Sequence, residues 1–195
     1  MKIITQSFLV LILIIFSGCA HQISFHEIDY QIGTNEHNAG LTVFIDSNTL
    51  NKQVTIKSFM TGFAHSWNVE PGKMVKQVAD IEFPQMFKHY RFSKVFPNPS
   101  KGTPHITLEL TVPKYEFANF RATFTLRVKA YGKGKKLLLD ESYIEQGISQ
   151  GAKMFWGGAF AMKSAIRQSS FGALKNIFES LRRDLAQVLL LNKKG

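Results

Sequence analysis

The side chains with which this chain could do chemistry are few, and most are in the wrong company. Cys19 is the only cysteine in 195 residues. It follows Phe16-Ser17-Gly18, and an unbroken apolar run from Phe8 to Phe16 stands behind Met1-Lys2. A positive start, a short apolar stretch and small residues at its end describe a secretory signal peptide over residues 1–18. Spanning a bilayer takes roughly 20 apolar residues, so the run reads as a processed segment and not as a transmembrane anchor. A secreted domain with one cysteine forms no internal disulfide, and its fold must rest on its core alone.

The remaining candidates are weaker. Of the six histidines, His21, His26 and His37 lie in a polar stretch, at gaps of neither helical nor hairpin ligand spacing. His65, His89 and His105 have no spacing that requires them to meet. Asp140 and Glu141 are adjacent on an expected strand and so point to opposite faces, which is wrong for a carboxylate pair. Gly132-Lys133-Gly134-Lys135 lacks the hydroxyl that follows a phosphate-cradling turn and reads as a hairpin turn. The expectation is a protein with no catalytic residues, no metal and no cofactor.

Residues 20–40 are polar and aperiodic, and with Cys19 read as an N-terminal flexible tether over 19–40. Beyond it, residues 41–195 suffice for a single domain. Strands are expected over 41–45, 53–59 and 91–96. A helix opening near Asn68 and Pro71 would carry Met74, Val75, Val78 and Ile81 on one face, with Pro84 breaking or kinking it. The clearest signal begins at His105. Ile106, Leu108, Leu110 and Val112 alternate with polar residues, as do Phe120, Ala122, Phe124, Leu126, Val128 and Ala130. A third strand returns over 136–144, completing a meander with one buried and one wet face. A helix over about 159–191 carries an apolar stripe including Ile166, Leu174, Ile177, Phe178, Leu181 and Leu185. A one-sided sheet needs such a cover. The fold class is therefore α+β, an antiparallel β-meander sheet with two helices packed on one face.

Between sheet and last helix, residues 147–158 hold four glycines around Met154-Phe155-Trp156, which reads as a mobile apolar flap. Its aromatics either plug the end of the core or form a tip contacting a partner or a membrane. Lys and Arg number 24 against 14 acids, a net charge of +10. Such an excess speaks of partners and not of fold. Export argues against nucleic acid and for anionic envelope material: an acidic protein surface or a glycolipid.

Phe16-Ser17-Gly18-Cys19 resembles the lipobox of bacterial lipoproteins. That resemblance implies a thioether-linked diacylglycerol on Cys19, cleavage before it, an acylated N-terminus and anchoring in a membrane through these chains. Ala20 after the cysteine implies the outer membrane, with the domain facing the periplasm. The opening strand at 41–46, the hairpin at Tyr131-Gly132-Lys133-Gly134 and the Gly-rich passage into the final helix resemble small envelope lipoproteins of the YajG type. More distantly the chain is similar to auxiliary lipoproteins of transport systems and to the TolB N-terminal domain. The resemblance implies an α+β sandwich and a non-catalytic envelope role, and transfers no residue except Cys19. The expected function is a lipid-anchored periplasmic binding or assembly module. A lipid-handling auxiliary of an envelope transport system is the alternative, and an envelope hydrolase ranks behind both.

Overall fold

The computed structural model of the protein describes residues 19–25, 37–57, 65–97 and 105–192. For residues 19, 153–155, 158–160, 191 and 192 only the backbone is described. The expected signal peptide, the middle of the expected tether and residues 98–104 lie outside these residues.

Among the described residues, eight strands and three α-helices follow in the order β1 (Cys19–Ile23), β2 (His37–Phe44), α1 (Ser47–Asn51), β3 (Val54–Lys57), β4 (His65–Val69), α2 (Pro71–Met86), β5 (Phe87–Ser93), β6 (His105–Ala118), β7 (Arg121–Tyr131), β8 (Leu137–Gln146) and α3 (Gly151–Asn192). They form a five-stranded sheet ordered β5-β2-β6-β7-β8 and a three-stranded sheet ordered β1-β4-β3. The class is α+β: long helices pack on a sheet whose largest part is an antiparallel meander.

The meander β6-β7-β8 is antiparallel throughout, and its even-numbered β7 side chains, Ala122 through Ala130, are all fully buried. The sheet as a whole is mixed, which corrects the expectation of an antiparallel one. β2 runs parallel to both β5 and β6. A parallel pair needs a crossover connection, and α1, the small sheet and α2 supply it between β2 and β5. β2 is also covered on both faces: Leu41 and Val43 are fully buried and Thr42 is 2% exposed.

Register places Phe92, Val43, Leu108, Ala130 and Leu139 side by side on one face of the large sheet. Both long helices cover that face: α2 lies over β5, β2 and β6, and α3 over β7 and β8. Phe83 of α2 meets Phe178 of α3 with ring centroids 5.6 Å apart. α2 opens with Pro71 at its first turn and Glu70 as its cap; Asn68, the expected cap, is instead in β4. Pro84 sits exposed inside the helix, which ends two residues later, so it does not break α2. Gly72 permits α1 to cross, since a Cβ there would come within 2.1 Å of the Thr49 carbonyl.

Two further expectations are corrected. The start of the expected tether is a strand: β1 pairs with β4 over Cys19–Ile23, Ile23 and Phe25 are buried, and the Phe25 ring meets Phe171 of α3 edge-on at 5.8 Å. Two inward apolar side chains suffice to dock an otherwise polar edge strand. The expected flap is largely helix, because α3 begins at Gly151 and runs through the glycines. Each costs about 1 kcal/mol relative to alanine in a helix interior, a penalty that a 42-residue helix seated along the sheet absorbs.

Candidate functional site

The apolar end where β8 passes into α3 is built on the β6–β7 hairpin. That hairpin turns at Asn119 and Phe120, with φ of 50° and 58°, the backbone of a two-residue primed turn. Left-handed backbone costs roughly 1–2 kcal/mol at a residue with a Cβ, so neighbouring contacts must hold Phe120 there. They are visible: the Gln150 N–H donates to the Phe120 carbonyl at 2.9 Å, and the Gly147 N–H donates to the Ala122 carbonyl at 2.9 Å. The Ala122 N–H in turn donates to Ser169 Oγ of α3 at 2.9 Å. Tyr115 and Ser170 add a buried hydroxyl pair at 2.9 Å. Burial, the larger effect, raises the Tyr115 phenol well above its ordinary value, and the Ser170 bond offsets part of that.

Gly147 is the close approach in this assembly. A Cβ on it would stand 1.8 Å from the Ser169 carbonyl oxygen, so the chain crosses α3 only because the residue has no side chain. The rim that results is apolar and wet. Ile148 is 77% exposed and Trp156, in the opening turns of α3, is 87% exposed. Of the expected contact residues, Trp156 is thus on the surface, while the side chains of Met154 and Phe155 lie outside the described residues. Ile148 was missed by sequence reasoning; its position inside the glycine-rich passage was the available signal.

Cys19 is the first residue of β1, opposite His65 of β4. The histidines divide between the two sheets. His21 and His65 lie together in the small sheet, with His21 Nε2 and His65 Nδ1 3.4 Å apart. His89 and His105 flank Gly40 from its two neighbouring strands. His105 Nε2 lies 2.8 Å from Thr42 Oγ1, and burial first, then the Arg91 charge, lower its pKa. The wet face of β7 carries Arg127 in a two-pronged ion pair with Asp140, at 2.9 and 3.0 Å, and Tyr131 donating to Glu109 at 2.8 Å. Arg127 is thus engaged within the sheet, and Arg121 donates to Gln146 of β8 at 3.1 Å. Among the described residues no group of three or more His, Cys, Asp or Glu is arranged to hold a metal ion, and no helix is long and apolar enough to cross a membrane.

No protein-family model matches the chain, and no curated protein matches it. A solved structure shares its fold. A crystal structure of a Xanthomonas campestris protein assigned to the DUF330 family aligns with a TM-score of 0.53 at 9% identity, over 91% of this chain and 100% of that one. At that identity the likeness is one of fold alone: the α+β arrangement of helices on a sheet is shared with a DUF330 protein. An uncharacterized protein aligns at 13% identity with a TM-score of 0.42, over 78% of this chain and 96% of its own. A hypothetical protein of Chlamydia trachomatis aligns at 8% identity with a TM-score of 0.40, over 76% and 99%.

Proposed function

We propose that this protein is a lipid-anchored, non-catalytic binding or assembly module of the bacterial envelope, of the kind the YajG-type resemblance implies. Its lipid is carried on Cys19, and its contact surface is the apolar rim at the entry to α3. The observation that carries the reading is the exposure of Trp156 and Ile148, 87% and 77%, with Ile148 held between the backbone hydrogen bonds that Gly147 and Gln150 donate to the β6–β7 hairpin. Large apolar side chains held rigidly in water mark a contact surface, and tryptophan is enriched among residues that carry binding energy. Phe83, Phe87, Phe124 and Phe178 are buried in the core. That leaves the same rim as the surface through which an acyl chain would be met if the protein handles lipid.

The test has two arms. Mass spectrometry of the protein purified from membranes should show diacylglycerol and a fatty acyl group on Cys19, and Cys19→Ser should appear in the soluble fraction. A photo-crosslinking residue at position 156 should capture one defined envelope protein, while the same residue at exposed Lys163 should not. Capture of nothing above background at 156, with acylation confirmed, would set the contact surface aside and leave the anchor standing.

A further inference from the structure

Histidines scattered through the sequence are brought into a pair by the small sheet. β1 and β4 are parallel neighbours, with Cys19 opposite His65 and His21 opposite Trp67, so His21 and His65 lie diagonally across one strand pair. Their rings stack with centroids 5.6 Å apart and planes 24° from parallel. Both also lie against Trp67, at 6.2 and 6.3 Å. Trp67 is 2% exposed and gives the imidazoles a fixed floor, while His21 is exposed and His65 half-buried, so solvent reaches their outer side.

We propose that His21 Nε2 and His65 Nδ1 form a two-imidazole site for zinc that ties β1 to β4. The separation of the two nitrogens matches a tetrahedral metal. Zinc–nitrogen bonds of about 2.0–2.1 Å at a tetrahedral angle place two ligand nitrogens about 3.3–3.4 Å apart. Adjacent corners of a square plane, the geometry of Cu(II) or Ni(II), would need about 2.9 Å. The observed separation is 3.4 Å. The two remaining positions belong to water, which makes this an exchangeable site and not a closed structural one. Zinc takes the lone pairs of both near nitrogens, so each neutral ring carries its proton on the far nitrogen, His21 Nδ1 and His65 Nε2.

The metal would join residues 44 apart in the chain and hold down an edge strand of five residues. Zinc occupancy would thereby set how firmly the strand that begins at Cys19 is docked. That consequence for the anchor rests on the function proposed above; the site itself does not.

Isothermal titration of the full chain carrying Cys19→Ser with zinc sulfate tests the site without a competing thiol. One zinc per chain should bind with micromolar affinity, weakened at least tenfold by His21→Gln or His65→Ala and unchanged by His37→Ala. Zinc should also slow hydrogen exchange at the β1 amides of the parent and not of either variant. Absence of binding, or binding retained in both variants, overturns the proposal. His21 is exposed, so His21→Gln carries the test if His65→Ala does not fold. Retention of the Cys19→Ser chain in membranes with intact zinc binding would count against the anchor and not against the site.

Discussion

Glu82 of α2 and Arg182 of α3 form an ion pair 2.9 Å long in which the carboxylate is 1% exposed and the guanidinium 29%. It is the polar link between the two helices that cover the large sheet, and it is incompletely satisfied: Glu82 Oε1 and Arg182 Nε are buried without a hydrogen-bond partner. Removing one member strands a buried charge, whereas replacing both with apolar residues of similar volume can be close to neutral. Arg182→Ala should therefore destabilise the protein by on the order of 3 kcal/mol in urea unfolding, and Glu82→Met with Arg182→Met should recover most of that. If the double variant is no more stable than Arg182→Ala, the pair contributes net attraction that packing cannot replace.

Two glycines at the crossing of the β8–α3 passage over α3 should respond with opposite signs. A methyl group at 147 would meet the Ser169 backbone at 1.8 Å, and backbone cannot step aside as a flexible side chain does. Gly147→Ala should cost at least about 2 kcal/mol. At Gly172 a Cβ would come no closer than 3.8 Å to the Gly147 Cα and the Ile148 N. Gly172→Ala should gain up to about 1 kcal/mol from helix propensity. Thermal unfolding of the two variants beside the parent checks both signs at once.

Trp156→Ala should leave stability within about 0.5 kcal/mol of the parent, because a side chain 87% exposed loses little burial on truncation. A fall in unfolding midpoint comparable with that of Leu126→Ala, a truncation in the fully buried core, would make Trp156 a plug of the core and remove the contact surface proposed above.

The parts of this fold that were legible in the sequence are those in which one local period carries the information. Residues 106–130 alternate because β6 and β7 each bury one face, and the stripe on α3 repeats because one side of that helix lies on the sheet. The direction of β2 was not legible. Leu41, Val43 and Ile45 mark a buried strand, but nothing local distinguishes a parallel partner from an antiparallel one. β1 was hidden because Ile23 and Phe25 are too few to display a period. At the rim, Trp156 was singled out by type and by the glycines around it. The reason for Gly147, its approach to Ser169, exists only once α3 has folded back beneath it. The His21–His65 pair is likewise a product of strand order, and no spacing along the chain announces it.

Four tyrosines make the native state sensitive to alkali. Burial, the largest cause in each, raises the phenols of Tyr90, Tyr115, Tyr131 and Tyr143. Donation to a carboxylate adds to the effect in three of them: Tyr90 to Asp80 at 2.6 Å, Tyr131 to Glu109 at 2.8 Å and Tyr143 to Asp184 at 2.6 Å. An ionised phenol would surrender that bond and face the carboxylate as a like charge. Tyr131 is pushed up to about 12, and the other three lie higher still. A pKa raised on folding contributes stability that is complete below the unfolded value, near 10, and is lost as pH rises through the folded one. Stability should therefore be level in this respect up to about pH 10 and fall steeply above it, with the Tyr131 contribution exhausted by about pH 12. Tyrosinate absorbance followed with pH, beside circular dichroism on the same samples, should show these phenols ionising together with loss of structure. Ionisation of all of them near pH 10 in a protein that remains folded would contradict the buried hydroxyl–carboxylate pairs that link Tyr90 to α2 and Tyr143 to α3.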